Sequence, residues 1–153
     1  MQFLEAKIPP VALTIFLALT AWLLAFVLPQ FNASIPYQYA FSGIAFICGL
    51  SISLIGVYAF NTHQTTVNPT TPDATTTVVT TGIYKYTRNP MYLGFALFLL
   101  SASLFTSNLA ATVVLPIYFA YMTQFQIKPE ERALQEKFGD AFTAYMSRVR
   151  RWI

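Results

Sequence analysis

Charge is missing from this chain in two long blocks, and that absence constrains the fold more than any other feature. No Asp, Glu, Lys or Arg lies between Lys7 and Asp73, or between Arg88 and Lys128. Each block is long enough for two apolar spans of about 20 residues. Only 10% of the residues are charged and 56% are hydrophobic, whereas soluble domains carry about 25% charged residues. Mean hydropathy is +0.53. The fold class predicted is all-α: an integral membrane four-transmembrane-helix bundle with a cytoplasmic loop and a C-terminal amphipathic helix. The spans fall at 8–28, 37–60, 90–105 and 109–127. At 153 residues the chain reads as a single membrane domain.

Orientation follows from the basic residues. Lys7, Lys85, Arg88, Lys128, Arg132, Lys137, Arg148, Arg150 and Arg151 all fall before the first span, between the second and third, or after the fourth. Four crossings put those segments on one side, and the loops at 29–36 and 106–108 carry no charge. The positive-inside rule makes the charged side cytoplasmic, with both termini there, in an inner or plasma membrane. Acidic residues share that side, so the net charge of +3 describes a face and not a nucleic-acid patch. The partners expected are the lipid bilayer and no nucleic acid. The first apolar run is about 20 residues long and no A-x-A site follows, so it reads as a span and not as a cleaved signal peptide. One cysteine, Cys48, and one histidine, His63, rule out a disulfide framework and argue against a Cys/His metal site.

Small residues recur at helical spacing in the first two spans: Thr14, Ala18, Ala21 and Ala25, then Ser42, Ala45, Gly49, Ser53 and Gly56. They mark helix–helix seams, because small side chains let backbones approach in lipid. The uncharged spans disfavour a proton-coupled exporter or a channel. Residues 61–82 are rich in Thr, Pro and Asn and read as a loop. Pro116 is expected to kink the fourth span. Pro129-Glu130-Glu131 reads as a helix start, with Pro at the first position and carboxylates at the positive end of the dipole. Leu134, Phe138, Ala141, Phe142, Tyr145 and Val149 follow at helical spacing, with a break expected at Gly139. Arg148, Arg150 and Arg151 are placed near anionic head groups.

Two polar clusters bear the chemistry. Tyr84, Lys85, Tyr86, Arg88 and Tyr92 are the residues of an interfacial anchor, and Asn89-Pro90 suits a helix start with Asn as cap. The order of residues says more. Gly82-x-Tyr84-x-x-x-Arg88-Asn89-Pro90-x-Tyr92-x-Gly94 precedes a helical hairpin. Glu130-Glu131-x-x-Leu134-x-x-x-Phe138-Gly139-x-x-Phe142-x-x-Tyr145 follows it. This arrangement resembles the membrane-embedded methyltransferases related to isoprenylcysteine carboxyl methyltransferase and the phospholipid N-methyltransferases. Their motif is Arg-His-Pro-x-Tyr-x-Gly, followed one hairpin later by Glu-Glu and then Phe-Gly. The resemblance covers 61–151, which becomes a methyltransferase-like core with the hairpin at 90–127, beside an N-terminal helix pair at 8–60.

The resemblance implies an S-adenosylmethionine site at the cytoplasmic end. Carried over, the cofactor-binding positions are Thr76, Thr77, Val78, Val79, Tyr84, Asn89, Pro90, Met91, Tyr92 and Glu130. Arg88 joins them as a partner for the cofactor carboxylate. Tyr faces favour a sulfonium, and Glu130 can accept from a ribose or an ammonium. Gln126 stands where the carboxyl methyltransferases place an Arg on the substrate carboxylate, so it is assigned to substrate. Asn89 stands where the motif has His and cannot replace its proton transfer. His63 is an interfacial polar residue on the plainer reading, and a substrate-side base on the sharper one. No catalytic residue is assigned. The function implied is transfer of a methyl group to a lipophilic or small-molecule acceptor bearing a carboxylate, amine or thiol. The alternative, favoured by Asn89 and Gln126, is a non-catalytic lipid-binding or assembly protein on the same scaffold.

Overall fold

The computed structural model describes residues 5, 7–62 and 78–153. Among them there is no strand, and the chain is all-α. Five α-helices follow in order: α1 (Pro10–Val27), α2 (Gln38–Thr62), α3 (Pro90–Thr106), α4 (Val114–Tyr121) and α5 (Lys128–Arg148).

In α2 the inside is small and the outside is large. The second helix buries Ser42, Ala45, Gly49, Gly56 and Ala59, and exposes Phe41, Ile44, Phe46, Ile47, Leu54 and Ile55. Only 28% of the most apolar stretch of α1, and 22% of that of α2, is buried. The core helix of a water-soluble protein hides its large apolar side chains, so this inverted pattern suits an apolar solvent. Both helices are long and apolar enough to cross a membrane. By the same length test α3 is shorter.

α3 is the centre of the packing. The small-residue stripe of α2 faces it: Ser42 Oγ donates to the Ser101 carbonyl and Ser101 Oγ to the Ser42 carbonyl, each at 2.9 Å. Two turns along, a Cβ on Gly94 would sit 2.6 Å from the Gly49 carbonyl oxygen and collide with the Ser53 side chain. A Cβ on Gly49 would sit 2.8 Å from the Gly94 carbonyl oxygen. The other side of α3 meets α1 and α4 in one core. Leu13, Leu17, Ala21, Tyr92, Leu99, Val114 and Tyr118 belong to it. Between α1, α2 and α3 an apolar cleft of about 440 Å³ remains, lined by Thr14, Ala18, Phe46, Phe95, Phe98 and Ala102 among others.

The two uncharged loops meet at one end. Asn108 donates to the Leu28 carbonyl at 2.9 Å and to Asn32 Oδ1 at 2.7 Å. The Ala33 N–H reaches the Ser107 carbonyl at 2.7 Å.

The run from Ala110 to Arg148 differs from the expected helix, kink and separate helix. A 3₁₀ turn (Ala110–Val113) leads into α4, α4 into a π-helical segment (Met122–Ile127), and that segment into α5 without a break. Pro116 therefore lies in the first turn of α4, where a missing N–H is best tolerated, and it does not kink a helix midway. Pro129 takes the second position of α5, with Glu130 and Glu131 in its first turn as expected, although that helix grows directly out of the π segment. In regular α geometry its ring would crowd the carbonyl four residues back, and the wider π turn that precedes it relieves this. The break at Gly139 is present, with φ 53° and ψ −124°. Beyond it Phe142, Tyr145 and Val149 are buried against Val78, Leu134 and Phe138.

The α2–α3 contact is open to a direct check. Gly94→Ala overpacks this contact and should cost about 1–3 kcal/mol, seen as a lowered thermal midpoint in detergent. Gly43→Ala, where an added Cβ meets nothing within 4 Å, should leave the midpoint unchanged or raise it.

Candidate functional site

The site lies where the start of α3 meets the π-to-α junction and the last residues of the chain. Pro90 takes the first position of α3. Its fixed φ suits a helix start and its missing N–H costs nothing there. Asn89 precedes it but makes no side-chain cap. Its backbone N–H donates to Thr87 Oγ1 at 3.2 Å, and its side-chain Nδ2 donates to the Arg151 carbonyl at 2.9 Å. The expected cap is thus replaced by a long-range bond.

Less than one turn into α3, the Tyr92 hydroxyl donates to Glu130 Oε1 at 2.7 Å. Gln126 Nε2 donates to the same oxygen. Gln126 and Glu130 are four residues apart, across the end of the π segment. The Tyr92 carbonyl accepts from the Tyr118 hydroxyl at 3.0 Å. Burial pushes the Glu130 carboxyl up to about 7, against the two hydrogen bonds from Tyr92 and Gln126, which favour the carboxylate; Glu131 adds to the rise.

Glu131 is the centre of a second cluster. Arg88 reaches Oε1 at 2.8 Å, with both side chains largely buried. Arg151 grips both carboxylate oxygens, Nη2 at 2.6 Å and Nε at 3.1 Å. Such charge-assisted, bidentate contacts are the strong class of polar contact. The Arg88 N–H donates to the Arg150 carbonyl at 3.1 Å. Trp152 packs edge-on against Phe119 at 4.7 Å and donates to Thr123 Oγ1 at 3.2 Å. Tyr84 is 3% exposed, and its hydroxyl has no hydrogen-bond partner among the described residues. Arg88 Nε is likewise buried and unpartnered there. Burial pushes the Tyr84 phenol far above its usual range, with Tyr145 and Glu130 adding to the rise. The Tyr84 carbonyl accepts from the Tyr145 hydroxyl at 2.8 Å.

The residues named from sequence distribute as follows. Tyr92, Glu130 and Gln126 come together in one cluster. Arg88 and Asn89 lie beside it, tied to Glu131 and Arg151. Tyr84 stands over Phe60 at 5.3 Å. Val78 packs against the cluster of Phe142, Tyr145 and Val149, and Val79 lies in a cluster with Ala59 and Tyr84. Pro90 and Met91 lie where α3 passes Gly56. Thr76, Thr77 and His63 lie outside the described residues. Sequence reading passed over Thr87, Glu131, Thr123 and Trp152. Arg151 was placed at the head groups, whereas it turns inward onto Glu131. The available signal was the Glu-Glu pair, since two adjacent carboxylates call for a nearby cation.

Glu130 binds its proton more tightly folded than unfolded, because its folded value lies above the ordinary 4.5. Stability should therefore fall as pH rises from about 4.5 to about 7 and level off above. Glu130→Gln should remove that slope from thermal midpoints recorded in detergent between pH 5 and 8.

An uncharacterized protein of Haemophilus influenzae is 41% identical to this chain over 63 residues, 41% of this chain and all of that protein. The protein-S-isoprenylcysteine O-methyltransferase of Schizosaccharomyces pombe is 32% identical over 72 residues, 47% of this chain and 30% of that protein's length. No solved structure matches the chain. Residues 37–141, from the start of α2 to beyond the Gly139 break, match the phospholipid methyltransferase family. With the larger part of its length inside that match, this chain belongs to the phospholipid methyltransferase family.

Proposed function

We propose that this protein is an integral membrane methyltransferase that uses S-adenosylmethionine and methylates a lipophilic or small-molecule acceptor bearing a carboxylate, amine or thiol. The observation that carries the reading is the Tyr92–Glu130–Gln126 cluster, which joins two motifs 38 residues apart. Family membership supports it. So does the concentration of Arg88, Glu130, Glu131 and Arg151 at one end of a bundle whose α1, α2, α3 and α4 carry no charge.

The residues present fit the cofactor. Tyr84 O–H and Arg88 Nε–H are buried donors without a partner among the described residues, and a buried donor needs an acceptor. The carboxylate of the cofactor is one. Glu130 suits the ribose hydroxyls or the ammonium, and the Tyr92 ring suits a nearby cation. When bound, the cofactor supplies an electrophilic methyl on a sulfonium. The protein then has to align acceptor and donor and to exclude water. A cation beside Glu130 favours its carboxylate form, so cofactor binding below about pH 7 should take up hydroxide or release a proton.

In the membrane, we read four crossings with the charged end in the cytoplasm. The uncharged loops pair at the opposite end. The apolar cleft between α1, α2 and α3 supports a lipophilic acceptor, because Phe95, which lines it, lies one turn from Tyr92.

Calorimetric titration of the detergent-purified protein with S-adenosylhomocysteine tests the cofactor. Saturable binding is expected, and none at millimolar ligand with the fold intact overturns the reading. Methyl transfer from labelled cofactor into membrane lipids or small thiols should fall at least tenfold in Tyr92→Phe and disappear in Glu130→Ala. For the topology, maleimide labelling of Cys substitutions at Asn32 and Arg150 in intact cells should modify the first alone.

A further inference from the structure

Asn89 occupies the position where the motif leads one to expect His, and its side chain is committed elsewhere. Its Nδ2 is bonded to the Arg151 carbonyl at 2.9 Å. That carbonyl also accepts from Thr87 Oγ1 at 3.4 Å. The next bond in the same ladder runs from the Arg88 N–H to the Arg150 carbonyl at 3.1 Å. Three consecutive residues before α3 therefore hold two consecutive carbonyls of the segment that follows α5. The far end of that segment is pinned by Trp152, which lies against Tyr118 and Phe119 and donates to Thr123. Its middle is pinned by Arg151 on Glu131.

We propose that Asn89 is a positioning residue that docks residues 150–152 across the site, and that ligand binding beside Tyr92 and Glu130 requires the docked segment. The proposal rests on the cofactor reading above. The coupling is physical. Glu131 shares its charge between Arg88 and Arg151. Releasing the segment removes Arg151 and leaves a largely buried carboxylate with one cation, directly beside Glu130. Like charges at adjacent, poorly solvated positions repel. The first turn of α5 carries both carboxylates, so its loosening displaces Glu130 from Tyr92. One N–H of the Asn89 amide is used within the protein, on the Arg151 carbonyl, and that bond is the link to the docked segment. His offers an N–H donor for the same carbonyl, whereas Asp offers only acceptors.

The test uses Trp22→Phe protein, which leaves Trp152 as the one tryptophan. Acrylamide quenching then reports docking, and titration with S-adenosylhomocysteine reports binding. Asn89→Asp should raise Trp152 quenching at least twofold and weaken binding at least tenfold, with helical content and monodispersity kept. Asn89→His should stay within twofold of the parent in both readouts. In the parent, saturating ligand should lower the quenching. Arg151→Gln provides the second route to release and should behave as Asn89→Asp does, deciding the matter where that variant fails to fold. Released Trp152 with unchanged affinity overturns the positioning role alone, as does weakened binding with Trp152 still docked. No binding by the parent overturns the cofactor reading, and this proposal with it.

Discussion

Everything else in the molecule depends on how closely α2 can lie against α3. In an apolar solvent large apolar side chains gain little by being buried, so helices associate through backbone proximity, dispersion and a few hydrogen bonds. Gly49 and Gly94 supply the proximity, each sitting where a Cβ would strike the other helix's carbonyl oxygen. The reciprocal Ser42–Ser101 bonds fix the register. With α3 held from one side in this way, α1 and α4 close on its other side, and Tyr92 is left facing the π segment.

The polar end obeys a different constraint. Two adjacent carboxylates are carried on the first turn of α5, and each is handled by a separate device. Glu130 is held by neutral donors, Tyr92 and Gln126, in surroundings that push its carboxyl up to about 7. Glu131 is held by two guanidinium groups and stays within an ion-paired network. Separating the pair into one group held by neutral donors, able to change charge near neutrality, and one paired with guanidinium groups is a usable arrangement for a site that meets a cationic ligand. The π segment serves this division. It relieves Pro129 and sets Gln126 within reach of Glu130, and irregular turns of this kind recur at functional sites.

Much of this was legible in the residues. The uncharged blocks located α1, α2 and α3 to within about two residues, because the period and length of apolar runs report on solvent and span. The Gly and Ser stripe of α2 announced a seam, and Gly139 announced a break. Other features were not legible. Pro116 looked like a kink, since a proline's effect depends on whether the turn before it is 3₁₀, α or π. Asn89 looked like a cap, and Arg151 like a head-group contact. Both depend on residues 150–152 folding back some 60 positions along the chain, and no local pattern encodes that return.

The sequence by itself determined the solvent of the helices, the side of the bundle that carries charge, and the pairing of the Tyr92 and Glu130 motifs as parts of one family pattern. These follow from composition and spacing, which are local and additive. The tertiary structure decided which helix the α2 stripe meets, which of the two carboxylates is ion-paired, and what the Asn89 amide holds. Those outcomes depend on which groups are left unsatisfied once the apolar surfaces have met, and that is a property of the packed whole.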